Sequence, residues 1–262
     1  MVDDILRAAY EALRQHIRDH SAIIYQVLPD RTYIGSATCV EINDRLFLAT
    51  AAHNFDVIAE GGTATTFSAR RSLRSPLTIL AHNYGVSGSP DVPDVAWLEV
   101  DRVSANQSEL AGIPLRLVRP HHALDLDGDY DITGFIAELT NRIQVDGEQT
   151  IQLNGICFNT IPTRNARPDG DELVLDYNFA NTENGRIEMP HPAGISGGAI
   201  WHTPLIDENH IWTPAGFPLV GIVTHYRDLS RQIIGLPMHH WLELLLADRP
   251  EVQPYIEPIL NP

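Results

Sequence analysis

The sequence contains the stretch His191-Pro-Ala-Gly-Ile-Ser-Gly-Gly-Ala-Ile-Trp201, in which a serine lies among glycines and an apolar run follows. Glycine adopts backbone conformations that other residues avoid, so the flanking glycines favour a sharp turn around Ser196. Such a turn can direct the backbone N–H groups of Gly194 and Ser196 at one developing oxyanion. The pattern Gly-x-Ser-Gly-Gly also occurs in ordinary loops before strands. A base and an acid elsewhere in the chain are therefore needed to favour a nucleophile over a plain turn.

The composition indicates a soluble globular protein. The 262 residues are 44% hydrophobic and 20% charged, which is enough for a sizeable core in one large domain or two small ones. The net charge of −16 disfavours nucleic acid as a partner, because phosphate contacts need clustered basic residues. No apolar run reaches the roughly 20 residues of a membrane helix. The first residues also lack the basic segment followed by an apolar segment that is typical of a signal peptide. We therefore expect neither a membrane partner nor secretion by a cleaved signal.

The sequence predicts no cofactor and no metal. Its cysteines, Cys39 and Cys157, lie in separate apolar runs without zinc spacing, which favours two buried reduced thiols in a cytoplasmic protein over a disulfide. The pairs His121-His122 and His239-His240 lack a third ligand at metal spacing. Residues 125–131 are acid-rich but lack the spacing of a calcium loop, so a solvated turn is favoured there.

Apolar periodicity predicts a helix at each end of the chain. Within an N-terminal segment, residues 1–20, the helix is predicted over residues 3–19, and its apolar face is formed by Ile5, Ala9, Leu13 and Ile17. The C-terminal segment, residues 237–262, is predicted to contain a helix over 237–248 with proline at its first turn. The proline-rich tail after Arg249 is expected to be loosely attached.

Between these ends the chain consists of short β-rich runs separated by turn residues. One set, within residues 21–112, comprises runs at 22–28, 33–40, 46–50, 77–80 and 94–100. A second set, within residues 113–236, comprises runs at 115–118, 130–136, 150–158, 172–177, 198–201, 219–223 and 232–236. Two such sets predict an all-β body of two closed or sandwiched antiparallel sheets, because an open sheet of this kind would expose its edges.

A candidate base and a candidate acid both lie in the first strand set. The run Thr50-Ala-Ala-His53 leads from the end of a strand into a histidine, and Asp94 begins the strand at 94–100. Taken singly, His53 could be a polar core residue and Asp94 a carboxylate that caps the strand. With Ser196 they follow the order His, Asp, Ser. Asp91 is a weaker candidate for the acid, because it lies in a proline-bounded loop.

Together these motifs resemble the trypsin-like serine peptidases of the chymotrypsin fold, and the pattern is closer to the bacterial intracellular type. The resemblance rests on residues 50–53, 94–98, 194–198 and 219–223. It implies two six-stranded antiparallel β-barrels with the active site in the cleft between them. It also implies a serine endopeptidase that acts on proteins or peptides through an acyl-enzyme.

The resemblance assigns roles to individual residues. Ser196 would be the nucleophile, His53 the general base and acid, and Asp94 the group that orients the imidazole. The backbone N–H groups of Gly194 and Ser196 would form the oxyanion hole.

Two departures from the family pattern concern control. Asn54 follows His53 where many secreted members carry a disulfide-bonded cysteine, which supports an intracellular protein. Ile195 stands where zymogen-activated members carry an aspartate, so activation by N-terminal trimming is not expected. A regulated effector protease under a sensor or regulatory protein is one hypothesis. The alternative is a catalytically silent trypsin-like module that binds peptides or partner proteins.

The resemblance also places the substrate pocket. Its walls would be the residues before the serine, with Pro190 and His191, and the strand residues Val223, Thr224 and His225. Pro190 cannot supply the carboxylate that would favour Arg or Lys substrates. The two histidines could recognise an acidic or amide side chain, but a preference for small or apolar side chains is favoured.

Overall fold

Two antiparallel sheets form the body of the protein, as the sequence predicts. The computed structural model describes residues 12, 15–16, 18–69, 76–84, 93–139, 141–145, 148–152, 155–168, 170–182, 185–203 and 216–261. Each sheet has six antiparallel strands that curve into a half-barrel, and the described helices are short. The all-β class and the two-barrel architecture are confirmed.

The first sheet has the strand order β4-β1-β2-β3-β6-β5, with β7 parallel to β2. Its strands are β1 (Ser21–Val27), β2 (Thr32–Ile42), β3 (Arg45–Thr50), β4 (Thr63–Ser68), β5 (Ile79–Asn83), β6 (Ala96–Val100) and β7 (Ile113–Pro114). Two residues with positive φ, Asn43 and Asp44, join β2 to β3. A two-residue turn of this kind matches the twist of the paired strands and fixes their register.

The second sheet has the strand order β11-β8-β15-β16-β17-β12, and two hairpins accompany it, β9 with β10 and β13 with β14. The strands of this half are β8 (Asp129–Phe135), β9 (Asn141–Val145), β10 (Glu148–Gln152), β11 (Gly155–Thr160), β12 (Leu173–Asp176), β13 (Phe179–Thr182), β14 (Gly185–Glu188), β15 (Ala199–Thr203), β16 (Leu219–Arg227) and β17 (Gln232–Pro237). Strand β15 begins directly after the Gly-Ile-Ser-Gly-Gly motif. The sheet therefore fixes one end of the loop 194–198, which carries the predicted nucleophile Ser196 and is called the nucleophile loop below.

Four α-helices are described in full, α1 (Asp56–Ala59), α2 (Arg102–Gln107), α3 (Met238–Asp248) and α4 (Gln253–Leu260). Of the predicted N-terminal helix, residues 12, 15–16 and 18–19 are helical, and the rest lies outside the described residues. Within the described part of the chain, no helix is both long and apolar enough to cross a bilayer.

Three local predictions differ from the structure. The run at 115–118 forms a 3₁₀ turn at Leu115–Leu117, because Val118 N–H bonds back to Leu115 O and the chain bends between the sheets. The single strand predicted at 150–158 is two strands, β10 and β11. The prediction also missed β4 and the β13–β14 hairpin, whose threonines, asparagines and glycines carry little apolar alternation.

The expectation of a loose C-terminal tail is wrong. After a 3₁₀ turn at Pro250–Val252 the chain continues as α4. Val252, Ile256 and Leu260 follow each other at fourfold spacing, and all three are buried. This apolar stripe packs into the core cluster between the two sheets. The proline in the first turn of α4 does not break the helix, because the N–H groups of a first turn have no partner within the helix.

The C-terminal helices complete the core that joins the two sheets. A single cluster of buried side chains combines Phe47 and Trp97 of the first sheet with Trp201 of the second and Trp241 of α3. Each barrel also has its own smaller core. The barrels therefore share one apolar interface.

The cysteines lie in different sheets, Cys39 on β2 and Cys157 on β11, and no disulfide joins them. Cys39 is buried as predicted, whereas Cys157 is only half-buried. Burial raises the pKa of the Cys39 thiol far above its ordinary value, so this side chain stays protonated.

Candidate active site

The first barrel contributes a histidine and an aspartate that contact each other directly. His53 lies in the 3₁₀ turn Ala52–Phe55 that follows β3, and Asp94 lies just before β6. Asp94 Oδ2 is 2.7 Å from His53 Nδ1, and Asp94 Oδ1 accepts a hydrogen bond from the backbone N–H of His53 at 3.0 Å. Because one carboxylate holds both the ring and the backbone, the direction of the imidazole is fixed. Asp91, the weaker candidate, lies outside the described residues.

The surroundings of the pair determine its charge state. Burial raises the pKa of Asp94, but the hydrogen bond and charge of His53 and the backbone N–H groups of His53 and Ala52 outweigh burial, so the pKa lies below its ordinary value. Asp94 is therefore ionised at neutral pH. An ionised carboxylate accepts only, so the ring proton belongs on Nδ1 and Nε2 is the basic atom of His53.

Two successive tight turns build the loop around Ser196. Ile195 N–H bonds to Pro192 O at 3.0 Å, and Gly198 N–H bonds to Ile195 O at 2.8 Å. The third residue of each turn is a glycine with positive φ, +99° at Gly194 and +88° at Gly197. A type II turn needs this conformation at its third position, which explains why the motif has glycine on both sides of the serine.

The carbonyl contacts of this loop determine where its N–H groups point. Ala193 O accepts a hydrogen bond from Ala137 N–H at 2.8 Å, and Ile195 O accepts one from Gly198 N–H. A trans peptide points its N–H away from its C=O, so the N–H groups of Gly194 and Ser196 point away from these partners. Within the described part of the chain, neither N–H has a hydrogen-bond partner. Both predicted oxyanion donors are available to a ligand.

The Ser196 hydroxyl donates a hydrogen bond to Thr224 O at 3.2 Å. In this rotamer the hydroxyl points toward β16. Among the described residues its hydrogen-bond partner is the Thr224 carbonyl and not His53. A rotation about the Cα–Cβ bond of Ser196 changes this partner without moving the backbone.

Ile195, the residue before the serine, is buried in the core of the second barrel. Its side chain packs against the backbone of β8 at Gly134, where a Cβ would lie 2.9 Å from Ile195 Cγ1. Burial of the apolar Ile195 side chain therefore anchors the loop to the core of the second barrel. An aspartate at position 195 would need a charged partner there.

The predicted pocket residues of β16 border the nucleophile loop. Val223 and Thr224 are buried and His225 is exposed. Val223 exchanges two backbone hydrogen bonds with the loop, because its C=O accepts from Gly197 N–H at 2.7 Å and its N–H donates to Gly198 O at 2.8 Å. The pairing with β17 shifts register between Val223 and His225. A bulge of this kind redirects the side chains that follow it.

The other predicted wall approaches β16 through an aromatic contact. His191 is exposed, and its ring lies edge-on to Tyr226 with a centroid distance of 5.6 Å. Tyr226 in turn contacts the buried ring of Tyr177, with 5.5 Å between centroids. Pro190, directly before His191, is half-buried. This contact joins the two predicted walls of the substrate pocket.

Sequence reasoning missed several polar residues of the first barrel that contact the nucleophile loop. Asn54 donates a hydrogen bond to Ser196 O, and Ser36 donates one to Gly194 O. A further hydroxyl, that of Thr50, bonds to both Asn54 and Ser36. The signal available was a polar residue directly after His53, where the chain enters the core.

The described part of the chain contains no group of three or more His, Cys, Asp or Glu side chains that could hold a metal ion. The described His121-His122 and His239-His240 pairs make ring contacts and hydrogen bonds to neighbouring residues instead.

No protein-family model and no curated protein matches the chain. Among solved structures, it is similar to the serine endoprotease from Yersinia pestis, with 14% identity and a TM-score of 0.53 over 90% of this chain and 65% of that one. It is also similar to the protease Anisep from Arthrobacter nicotinovorans, with 15% identity and a TM-score of 0.47 over 84% of this chain and 90% of that one. The likeness to the Yersinia enzyme shows that the fold is that of the trypsin-like serine proteases.

Proposed function

We propose that the protein is a serine endopeptidase that hydrolyses peptide bonds through Ser196, His53 and Asp94. The observation that carries the proposal is the contact between His53 and Asp94, which fixes the ring and leaves Nε2 basic. Asn54, the residue after His53, bonds to Ser196 O at 2.9 Å, so His53 and Ser196 lie on neighbouring segments. The N–H groups of Gly194 and of Ser196 itself have no hydrogen-bond partner among the residues that the structure describes.

The proposed mechanism begins with rotation of Ser196 from Thr224 O toward Nε2 of His53. The base takes the hydroxyl proton as Oγ attacks the substrate carbonyl, and Asp94 stabilises the imidazolium. The N–H groups of Gly194 and Ser196 would hold the oxyanion, a contribution of about 3 kcal/mol per donor. Collapse of the intermediate transfers the proton to the leaving amine and forms the acyl-enzyme. Water, activated by His53, then releases the acid and regenerates Ser196.

We further propose that the substrate residue before the cleaved bond has a small or apolar side chain. Support comes from the contact between His191 and Tyr226, which joins the two predicted walls of the pocket. The Nδ1 atoms of both pocket histidines are engaged locally, that of His191 by Ala193 N–H and that of His225 by the Thr224 hydroxyl. An acidic or amide substrate would have to compete with these contacts or use the opposite ring nitrogens.

One observation favours restraint of the activity. The Ser196 hydroxyl is bonded to Thr224 O, so it must rotate before it can donate to His53, and His191 contacts Tyr226 across the proposed pocket. We propose that a substrate or a regulatory protein shifts this state, as expected of an effector protease in the cytoplasm. Cysteines that form no disulfide fit such a compartment. The second candidate function is a silent module that keeps this state and binds peptides without cleaving them.

A fluorophosphonate probe tests the proposal on the full chain. We expect labelling that is abolished in Ser196→Ala and falls sharply in His53→Ala. Ser230→Ala is the matched control, because Ser230 is an exposed serine in the turn between β16 and β17 and should leave labelling unchanged. Folded protein that is not labelled, alone or with partner proteins, would overturn the peptidase and leave the silent module.

A further inference from the structure

We propose that Asn54 and Ser36 are positioning residues that hold the nucleophile turns from the side of the first barrel. This proposal rests on the proposed peptidase function. The two residues lie on different segments of that barrel, Ser36 on β2 and Asn54 directly after His53. Each donates a side-chain hydrogen bond to a backbone carbonyl of the loop 194–197.

Asn54 is a buried amide with two partners. It is 3% exposed, and its Nδ2 donates to Ser196 O and to Thr50 Oγ1, each at 2.9 Å. The amide has two N–H groups, so both donors are used. A fixed amide of this kind holds the Ser196 carbonyl in one direction.

Gly35 shows that the space around this amide is closed. A Cβ at Gly35 would lie 2.5 Å from both Cγ and Oδ1 of Asn54. No other side chain fits on β2 at this point unless Asn54 moves. The Asn54 amide therefore packs directly against the backbone of Gly35, which restricts its movement on that side.

Ser36 forms the second contact. Its hydroxyl donates to Gly194 O at 2.8 Å and accepts from Phe135 N–H of the second barrel at 2.8 Å. Its backbone N–H donates to Ser196 O at 2.8 Å, so that carbonyl accepts from both Ser36 and Asn54. One buried serine thus bridges the two barrels at the loop that carries the nucleophile.

These contacts act on the peptides next to the oxyanion donors. Holding the carbonyls of Gly194 and Ser196 fixes the peptides on both sides of the residue pair 195–196. The direction of the Ser196 Cα–Cβ bond and the direction of its N–H then follow from the backbone. The loop therefore keeps its reactive geometry through neutral hydrogen bonds across the barrel interface, with Ile195 buried beneath it.

Asn54→Ala is the primary test, measured with the fluorophosphonate probe on the full chain. We expect the maximal labelling rate to fall about ten- to hundredfold, while the half-saturating probe concentration changes by less than about threefold. Asn83→Ala is the matched control, because Asn83 also makes a hydrogen bond between elements, to Asp248, away from the cleft. It should leave both values unchanged. A rate per folded molecule in Asn54→Ala equal to that of the natural sequence would overturn the proposal.

Thr50→Val keeps the proposal testable if Asn54→Ala does not fold. Valine has nearly the shape of threonine but removes the hydroxyl that bonds to Asn54 and to Ser36 O. We expect the same kind of rate loss with a smaller size. In the double variant, the losses should be less than additive, because both substitutions release one network. Fully additive losses would show that Asn54 does not act through this network.

Hydrogen exchange separates failure of this proposal from failure of the peptidase function. The amides of Gly197 and Gly198 are protected by bonds to Val223 O and Ile195 O. They should exchange faster in Asn54→Ala but not in Asn83→Ala. If the natural sequence is not labelled at all, the peptidase function fails, and exchange alone decides whether Asn54 holds the loop. Equal exchange in both variants would overturn the positioning role.

Discussion

The two barrels contribute unequal halves of the candidate site. On the first barrel, Asp94 holds His53 at the ring nitrogen Nδ1 and at the backbone, which leaves Nε2 as the basic ring nitrogen. On the second barrel, the Ser196 hydroxyl bonds to Thr224 O, and His191 lies against Tyr226. In the proposed peptidase, the half that would move protons is preformed, whereas the side chains that would attack and bind substrate contact other residues of the second barrel. Control of this protein is therefore expected to act on the second barrel.

The largest expected effect comes from breaking the contact between the halves at Gly197. A Cβ there would lie 1.8 Å from Ser36 O, at a φ of +88°. Gly197→Ala must therefore displace the turn that carries the nucleophile. We expect the probe labelling rate to fall by about a thousandfold.

Gly61→Ala is the matched control for that substitution. Gly61 also has a positive φ, +81°, but a Cβ at this residue would have no neighbouring atom within 4 Å. The substitution should cost about 1 kcal/mol of stability through backbone strain and leave labelling unchanged. Equal labelling of the two variants would show that close contact at Gly197 does not determine the reactive geometry.

Tyr226→Gly tests the second barrel through the selectivity of the proposed pocket, and its expected effect is smaller than that of Gly197→Ala. Removing the ring separates the two walls, because His191 loses its aromatic neighbour. We expect peptides with phenylalanine or leucine before the cleaved bond to gain about tenfold or more in kcat/KM relative to alanine peptides. Competitive cleavage of a peptide library measures this ratio.

Tyr226→Phe keeps the ring and should keep the selectivity of the natural sequence. An unchanged preference in Tyr226→Gly would contradict the role of this contact. A strong natural preference for arginine would contradict the proposed pocket as a whole.

Buried acids also differ between the barrels. In the first barrel, Glu99 accepts two hydrogen bonds from Arg45, at 2.7 and 2.8 Å, and another from Arg249. Burial raises the pKa of Glu99, but these arginines outweigh burial and hold the pKa below its ordinary value. In the second barrel, Asp131 is 1% exposed and is bonded to the neutral hydroxyl of Thr203. Burial, with a contribution from Asp129, raises the pKa of Asp131 to about 6.

The two acids therefore have opposite effects on stability as the pH changes. Glu99 stabilises the fold above its unfolded pKa, and this contribution is lost as the pH falls. The Asp131 contribution is fully present below its unfolded pKa and is lost as the pH rises through about 6.

Asp131→Asn is the smallest of the predicted effects. The amide can still accept from Thr203 but never ionises, so it should raise the free energy of unfolding by about 2 kcal/mol at pH 8 and change it little at pH 4. Urea unfolding at the two pH values measures the difference, and Glu99→Gln should destabilise at pH 8. An equal effect of Asp131→Asn at both pH values would show that ionisation is not its cause.

The sequence predicted the parts of the molecule that depend on local pattern. The two strand sets and the order of His53, Asp94 and Ser196 are readable because alternation and short motifs are local signals. The glycines at 194 and 197 were also readable, since both turns require positive φ.

Contacts between distant segments could not be predicted in the same way. The bond of Asn54 to Ser196 O and the contact of His191 with Tyr226 depend on how two barrels meet, which no local pattern encodes. The helix α4 was missed for another reason. Its prolines, typical of an irregular tail, masked an apolar stripe at regular fourfold spacing.

The buried stripe of α4 has a consequence for the order in which the protein is assembled. Trp97 of the first barrel donates to Asp248 at 2.8 Å, and Leu260 belongs to the core that joins the barrels. Asp248 and Leu260 follow both barrels in the sequence, so the ribosome synthesises both barrels before these two residues. The shared core therefore stays incomplete until α4 has been synthesised and has packed against the two barrels.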